Sequence, residues 1–598
     1  LRMGKLKRIF KTKGMKIAIL FILIFLASLF SLTCYSQNVY TLTADSKSKP
    51  GVKYGEHIYI KFSASKIFPG TEREVNVYVP SEYNGETPAV VCVFQDRMSY
   101  NADTVVSNLI AAKEIPVMIL VAASAGKVIG DYDSGSPREN RTYEYDTPSS
   151  QFGAFLLNEL LPFVETLKTN SGKKIILSKD RNDRMITGCS SGAAGAFNAA
   201  WNTNEFSRVY SACGSYTGLR GSFANTTLLH KFETKPIRFF LQGGSDDMWT
   251  SFGDWWSANQ AMVRAMDFAG YDFSFKLTEN AQHCDKDGTV IFPEVMRFLW
   301  KGYPGNQPAP MKKTKNSILN QTLIDGQGFE LLSTGVAESS KLVTDNDGQV
   351  LVSSANKTVV WDNIASDKLL IANKKALSVG SAGELLLYDS ARAQLSISRN
   401  GKILHTINKK IVAIDAAPLR GGGFYILGND KKDSRHSIIW HLSADNQLSE
   451  KYNEVNTIGA FALSGNNNWL YTFDYSTRRG YSYKVDKHRK DLLMKQEFFF
   501  IHIPDQYDGA ETTSAVTDDF GRTYLATNAG IQICDYNGRS EGILSLPGNT
   551  RPVSLAWGGK DFNWLYVLCR DGKLYRRELN TKSSPPASPM PKIRVGAG

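Results

Sequence analysis

The chain has 598 residues, of which 42% are hydrophobic and 21% are charged, a composition typical of globular rather than disordered proteins. A chain of this length is too long for one hydrophobic core, so we expect two or more domains. Its formal net charge is +12, but seven basic and no acidic residues lie in residues 1–36, and without them the charge falls to +5. This small excess does not indicate nucleic-acid binding.

The N-terminal segment predicts export. Basic residues precede the apolar run IAILFILIFLASLFSL, and small polar residues follow it, as in a secretory signal peptide. We expect residues 1–36 to be this signal, with cleavage after Ser36, and residues 1–14 to be upstream translation because Met15 opens a more usual signal. A lipoprotein anchor through Cys34 and a retained membrane anchor are alternatives. After cleavage we expect a periplasmic or secreted protein with no stable membrane span.

Residues 37–303 alternate apolar strand candidates with helical stretches, which predicts an α/β domain with a mainly parallel sheet and helices on both faces. The helical stretches include QFGAFLLNELLPFVETL and WWSANQAMVRAMDFAG. The strand candidates are VNVYVP, AVVCVFQD, IPVMILVAAS, RMITG, RVYSACGS, IRFFLQGG and FSFKLTE. Residues 304–318 are rich in Pro, Lys and Asn and read as a linker.

The pattern changes in residues 319–580, where short strand-like runs recur with Asp-Gly and Asn-Gly turns, as in DNDGQVLVSS and DYNGRSEGIL. About 260 residues of such runs, at roughly 40–50 residues per blade, predict a six-bladed β-propeller. Residues 581–598, TKSSPPASPMPKIRVGAG, read as a disordered tail.

The string Gly188-Cys189-Ser190-Ser191-Gly192 fits the pattern G-x-S-x-G. It follows the strand candidate RMIT and precedes a helical stretch, which is the context of a nucleophile elbow. Ser190 is therefore the candidate nucleophile. Ser191 is the neighbouring alternative, and a tight structural turn without catalysis would give the same pattern.

A histidine and an acid follow in the chain order expected for such a nucleophile, Ser, then Asp or Glu, then His. His283 lies in a loop after the strand candidate FSFKLTE, whereas His57 and His230 read as structural. The acid is Asp247 or Asp246 in FFLQGGSDDMW, with Asp247 favoured; two solvated turn carboxylates are the alternative.

An oxyanion hole requires two backbone N–H groups near the developing charge. One should belong to Ser191, the residue after the nucleophile. The other should come from the loop after AVVCVF, around Asp96 and Arg97.

The run FPGTEREVNVYVPSEYNGETPAVVCVFQD, with the later REN…EYD and FLLNELLPFVE, resembles the enterochelin esterase-like esterases, which include feruloyl and acetylxylan esterases. The resemblance implies an α/β-hydrolase without a large cap, with Ser190, Asp247 and His283 at the matching positions. Together with the predicted signal peptide, it implies an exported serine esterase that removes acyl groups from plant polysaccharide fragments. A siderophore esterase and a non-catalytic carbohydrate-binding or scaffold protein are the alternatives. The family commonly has Asp-Gly where this chain has Asp96-Arg97.

Two cysteines flank the proposed catalytic pair. Cys189 precedes Ser190 and Cys284 follows His283, an arrangement similar to that of tannase-like feruloyl esterases, in which these cysteines form a disulfide. The resemblance implies a Cys189–Cys284 bridge, with two unrelated thiols as the alternative. No cysteines have zinc-site spacing, so we expect no structural metal site.

Several aromatic and basic side chains have two interpretations. Tryptophan rings near the acid can stack on a sugar or an aromatic acyl group, or can pack on the sheet. Arginines can bind a charged substrate or pair with local carboxylates. These residues are Trp249, Trp255, Trp256, Arg97, Arg138 and Arg141.

The segment GRTYLATNAGIQICDYNGRSEGILSLPG is similar to the senescence marker, regucalcin and gluconolactonase propellers, which bind a divalent metal through a Glu, an Asn and an Asp. Glu338 matches the first ligand, but Gly459 and Thr513 fall at the other two positions. Asn456 and Glu511 are possible substitutes if the alignment slips. We therefore expect a binding or structural propeller, with no metal and no cofactor; an active lactonase is the alternative. The expected partner of the protein is an ester-bearing carbohydrate or small-molecule substrate.

Overall fold

The computed structural model describes residues 40–130, 137–305, 312–355, 357–360, 368–454 and 456–589. The predicted signal peptide, residues 1–36, lies outside the described residues. So do residues 306–311 of the predicted linker and residues 590–598 of the predicted tail. Within the described ranges, no helix is both long enough and apolar enough to cross a bilayer.

One eight-stranded sheet forms the framework of the first domain. Its strands are β1 (Glu56–Phe62), β2 (Arg73–Val79), β3 (Val90–Gln95), β4 (Met118–Ala123), β5 (Arg184–Cys189), β6 (Arg208–Ala212), β7 (Arg238–Gly244) and β8 (Asp272–Thr278). The spatial order is β1-β2-β4-β3-β5-β6-β7-β8. β2 pairs antiparallel with β1 and β4, and all other neighbours are parallel. The predicted α/β-hydrolase architecture is confirmed.

Helices cover both faces of this sheet. They are α1 (Ala102–Ala111), α2 (Arg141–Tyr145), α3 (Gln151–Phe155), α4 (Leu161–Val164), α5 (Ser191–Thr203), α6 (Ala224–Leu229), α7 (Trp255–Ala269) and α8 (Asp287–Trp300). A π-helical stretch, Leu156–Leu160, joins α3 to α4.

Strand β3 shows why two cores form. Its side chains alternate between faces, so Val91 and Val93 join one cluster with α3, α5 and α7. Cys92 and Phe94 join the other cluster with α1 and α8. Because both faces are covered, the strand is apolar from Val90 to Phe94.

The second domain is a ring of six four-stranded blades. Strand β9 (Glu330–Ser333) precedes blade 1 (Lys341–Thr344, Val350–Ser353, Lys357–Val360, Lys368–Ala372) and blade 2 (Lys375–Val379, Leu385–Asp389, Gln394–Arg399, Lys402–Thr406). Blade 3 (Val412–Pro418, Phe424–Asn429, Ser437–Leu442, Leu448–Glu454) and blade 4 (Ile458–Leu463, Trp469–Asp474, Arg479–Val485, Leu492–Phe500) follow. Blade 5 (Ser514–Thr517, Thr523–Thr527, Gly530–Cys534, Ser540–Leu544) precedes blade 6 (Pro552–Gly558, Trp564–Cys569, Leu574–Glu578). β9 pairs with Leu574–Glu578 and supplies the fourth strand of blade 6, which closes the ring. The prediction of six blades is confirmed.

The described part of the predicted linker is packed against both domains. Helix α9 (Ser317–Thr322) begins inside it, capped by the Asn316 side chain, which accepts a hydrogen bond from the N–H of Leu319 at 3.0 Å. The Asn316 amide also donates to the carbonyls of His230 in the first domain and Glu541 in the propeller, both at 2.8 Å. One side chain therefore connects the two domains.

The prediction of a disordered tail is wrong for residues 581–589, which lie against the propeller. The guanidinium of Arg420 donates to the carbonyl oxygens of Ser584, Pro585 and Ser588. Arg420 is only 7% exposed and has no carboxylate partner among the described residues, so these carbonyls satisfy its buried N–H groups.

A buried ion pair fixes α2 against β2. Arg73 donates to both carboxylate oxygens of Glu144, at 2.5 and 2.7 Å, and both side chains are almost fully buried. The Arg73 guanidinium also lies 4.2 Å from the ring centre of Phe155. Helix α2 in turn packs on α5, which carries the candidate nucleophile.

Breaking this pair should destabilise the first domain strongly. We expect Glu144→Gln to lower the free energy of unfolding by about 3–5 kcal/mol, because Arg73 keeps a buried charge without its counterion. Urea unfolding measures this loss. The control is Glu139→Gln, which removes the exposed partner of Lys127 and should cost less than about 1 kcal/mol. Equal effects of the two substitutions would contradict the account.

Candidate active site

The candidate nucleophile lies on a sharp turn between β5 and α5. Ser190 has φ 61° and ψ −127°, a strained backbone conformation that points its side chain away from the sheet. The turn needs glycine at position 188, because a Cβ there would lie 2.3 Å from the backbone of Gly192. This is the strand–turn–helix geometry of a nucleophile elbow.

Three loops at the carboxyl ends of parallel strands bring the predicted acid and base to Ser190. The Nε2 atom of His283, after β8, lies 2.8 Å from the Oγ atom of Ser190. The Nδ1 atom of His283 lies 2.5 Å from Oδ1 of Asp247, after β7. Asp247 is almost fully buried, whereas the side chain of His283 is 17% exposed. In the neutral imidazole, these contacts require the proton on Nδ1, which leaves Nε2 to accept the proton of the serine hydroxyl.

The structure distinguishes the two acid candidates. Asp246 is exposed, and its backbone N–H donates to the carbonyl of Ala281 at 3.1 Å. It therefore contributes to the loop structure, whereas Asp247 is the carboxylate that bonds the imidazole. The other histidines are elsewhere: His57 contacts Asn76 and Asp103, and His230 bonds the carbonyl of Thr226.

A second hydroxyl, which sequence reasoning missed, lies beside the nucleophile. The Oγ atom of Ser215 is 3.2 Å from that of Ser190 and accepts a hydrogen bond from the indole N–H of Trp255 at 3.0 Å. The Trp255 ring also packs edge-on against His283, with ring centres 5.9 Å apart. Trp255 therefore contacts both Ser215 and the ring of His283. The only signal for Ser215 was its place just after a strand end, in SACGS.

The other two tryptophans differ in environment. Trp256 stacks on Phe275, with ring centres 6.3 Å apart, so it packs on the sheet. Trp249, two residues after Asp247, is 86% exposed. Of the three rings, Trp249 is the one with a free face near the catalytic loop.

Cys189 and Cys284 form a disulfide, with sulfur atoms 2.06 Å and Cα atoms 6.4 Å apart. The bridge crosslinks the elbow to the histidine loop across 95 residues. The buried thiol of Cys213 lies nearby and accepts the N–H of Cys284 at 3.4 Å. Cys213, His283 and Cys284 are the only described trio whose ligand atoms cluster closely enough for a metal. Since Cys284 is in the disulfide and His283 is bonded to Ser190 and Asp247, this trio does not fit one.

The structure gives the two predicted oxyanion donors different environments. The N–H of Ser191 is in the first turn of α5, where no intrahelical acceptor exists, so it is free for an oxyanion. The N–H of Arg97 instead donates to the carbonyl of Gln95 at 2.9 Å in a tight turn about Asp96, which has φ 66°. The prediction for Arg97 is therefore not supported. Arg141 holds the carboxylate of Asp96 at the centre of this turn, with contacts of 2.9–3.2 Å.

The structure shows the environment of two other arginines that the sequence analysis considered for substrate binding. Arg141 serves Asp96 rather than a substrate, and Arg138 is exposed at the surface. A further carboxyl, Asp146, is buried near α5. Burial raises the pKa of Asp146 to about 6, and the Ser191 hydroxyl and the charge of Arg141 oppose the rise.

The propeller positions aligned with metal ligands do converge, but they do not fit a metal. Glu338, Gly459 and Thr513 line one cavity on the propeller axis. A Cβ at Gly459 would lie 1.9 Å from the carbonyl oxygen of Thr512, so no ligand side chain is tolerated there. Of the proposed substitutes, Asn456 bonds Asp474 and Glu511 pairs with arginines.

Comparison with known families matches each domain separately. Residues 65–270 match the family described as "Putative esterase", and residues 345–570 match the SMP-30/gluconolactonase/LRE-like region. Each match lies within one of the two domains and covers less than half of the chain. A comparison with curated proteins gives no match.

Solved structures with similar folds include proteins of both types. A gluconolactonase from Xanthomonas campestris is 14% identical, with 44% of this chain and 93% of that chain covered and a TM-score of 0.38. A feruloyl esterase module from Clostridium thermocellum is 12% identical, with coverage of 45% and 96% and a TM-score of 0.32. Enterochelin esterase from Shigella flexneri is 18% identical, with coverage of 41% and 58% and a TM-score of 0.32.

The disulfide yields a thiol count and a stability change. Protein comprising residues 37–598, unfolded without reductant, should show four thiols: Cys92, Cys213, Cys534 and Cys569. After reduction the count should be six. The double variant Cys189→Ala/Cys284→Ala should lose about 2–4 kcal/mol of stability, because the unfolded chain is no longer crosslinked. Six thiols before reduction would contradict the bridge.

The buried carboxyl of Asp146 should make stability depend on pH. Because its pKa is raised to about 6 from the ordinary 3.8, the folded state binds the proton more tightly than the unfolded chain. This residue's contribution therefore weakens stability as pH rises from about 4 to about 6, by up to about 3 kcal/mol. Asp146→Asn should remove the loss and gain stability relative to wild type at pH 7, but not at pH 4. Urea unfolding at both pH values measures this, with Asp246→Asn as the exposed control. Parallel pH profiles for Asp146→Asn and wild type would contradict it.

Proposed function

We propose that the protein is a serine carboxylic ester hydrolase. The observation that carries the proposal is the continuous hydrogen-bonded chain Ser190–His283–Asp247 on a nucleophile elbow, within a domain of the esterase family. Each member has the position and the partner that acyl transfer requires.

The reaction follows from these contacts. The Ser190 hydroxyl attacks the ester carbonyl as its proton passes to Nε2 of His283, and the carboxylate of Asp247 stabilises the resulting imidazolium. The N–H of Ser191 donates to the oxyanion. His283 then gives the proton to the leaving alkoxide, so that an alcohol departs and Ser190 keeps the acyl group. Water, deprotonated by His283, attacks this acyl-enzyme; the carboxylic acid leaves and Ser190 regains its proton.

We propose acyl esters of plant polysaccharide fragments, feruloyl or acetyl, as the substrates. The resemblance of the first domain to carbohydrate esterases supports this class. The exposed ring of Trp249 beside the catalytic acid supports it further, because such a ring can stack on a sugar or a phenolic acyl group. Hydrolysis of a siderophore ester is the competing outcome of the test below.

Export is part of the proposal. The basic and apolar N-terminal segment is typical of a signal peptide, and a disulfide is typical of proteins in the periplasm or outside the cell. The two observations are independent, and both support an oxidising compartment.

Substitution of the two adjacent aspartates, Asp247 and Asp246, tests which of them is the catalytic acid. With p-nitrophenyl acetate and methyl ferulate, Ser190→Ala should abolish hydrolysis, and Asp247→Asn should lower kcat by about 10³- to 10⁴-fold, because the imidazole loses its orienting carboxylate. Asp246→Asn, one residue away, should retain nearly full activity. Equal losses in the two Asn variants would contradict the assignment of the acid. A folded wild type inactive on both esters but active on a catecholate siderophore ester would move the substrate to that class.

A further inference from the structure

The cavity on the propeller axis has the features of a binding site. It has a volume of about 620 Å³, within the range of small-molecule sites. The first strand of each blade contributes to its lining, which includes Lys341, Lys375, Asp415, Gly459, Ser514 and Ser554. The cavity is therefore built by all six blades and does not depend on one loop.

The charges of the lining leave one cation without a counterion. Asp415 pairs with Lys341, and Glu338 pairs with Arg570 at 3.1 Å. Lys375 has no carboxylate partner among the described residues, and its Nζ donates only to the carbonyl of Ser339, at 3.1 Å. Burial lowers the pKa of Lys375. An anion beside its ammonium group would stabilise the charge.

Hydroxyl groups supply the remaining polar lining. The Thr513 Oγ1 atom is buried without a hydrogen-bond partner in the described structure. Ser514 and Ser554 each accept a backbone N–H from the neighbouring blade at 3.0 Å, which leaves their hydroxyl protons free to donate. Tyr475, 37% exposed, adds one aromatic ring. This combination suits a ligand that carries both an acid group and several hydroxyls.

We propose that this cavity binds a carboxylated sugar, such as a hexuronate, with its carboxylate at Lys375 and its hydroxyls among Thr513, Ser514 and Ser554. The proposal does not depend on the esterase activity of the first domain, because no described residue of that domain lines the cavity.

Calorimetric titration of the purified two-domain protein with D-glucuronate tests the proposal. D-Glucose, which lacks the carboxylate, should bind at least about tenfold more weakly, and sulfate, which lacks the hydroxyls, likewise. Lys375→Met should weaken glucuronate binding at least about tenfold. Lys374→Met is the matched control, because Lys374 lies near Asp389 and outside the cavity. Ser190→Ala should bind like wild type.

Lys375→Arg keeps the charge and should retain binding if Lys375→Met fails to fold, which the melting temperature reports. Three results would overturn the proposal: no binding of glucuronate, equal affinity for glucose or sulfate, or unchanged binding in folded Lys375→Met. Calcium binding by the chelator-treated protein that Glu338→Gln abolishes would also overturn it, because the cavity would then hold a metal.

Discussion

The crosslink between Cys189 and Cys284 is the constraint on which the candidate site depends. It joins the residue before the nucleophile to the residue after the histidine, so it limits how far Ser190 and His283 can separate. The hydrogen bond of 2.8 Å between them joins two loops that follow different strands. A loop displacement of about 1 Å can cost an enzyme two orders of magnitude in rate, so this covalent restraint has a direct functional consequence.

Some polar groups around the site have a clear partner, and others do not. Asp96 is held by Arg141, and Ser215 accepts a hydrogen bond from the indole of Trp255. Oδ2 of Asp247 is buried without a hydrogen-bond partner in the described structure, and burial near the start of α5 raises the pKa of Asp146. This costs stability at neutral pH, a pattern expected where a fold gives up stability to position a site.

Much of this organisation could be predicted from sequence because it depends on local patterns. Strands β3–β7 are buried along almost their whole length and were recognisable as largely apolar runs. β2 and the partly exposed edge strand β8 were also recognised, whereas the other edge strand, β1, was missed. The G-x-S-x-G motif identified Ser190, and the chain order then identified His283. It could not separate Asp246 from Asp247, since adjacent residues differ only in which side of the turn they face.

The predictions that were not supported concern contacts between segments distant in sequence. Arg97 occupies the expected loop, but its N–H is consumed by a turn that Arg141 stabilises from 45 residues away. The tail composition indicated disorder, yet the buried Arg420 in blade 3 binds its carbonyls. Ser215 had no motif of its own. In each case the decisive partner is set by the tertiary structure and leaves no local pattern.

Labelling with a fluorophosphonate, followed by peptide mass analysis, tests the central claim most directly. The reagent phosphonylates an activated serine and leaves unactivated hydroxyls alone. The account predicts one equivalent of label on Ser190 in the wild type and almost none in folded His283→Ala. Label on Ser191, or equal labelling of Ser190 in His283→Ala, would contradict it.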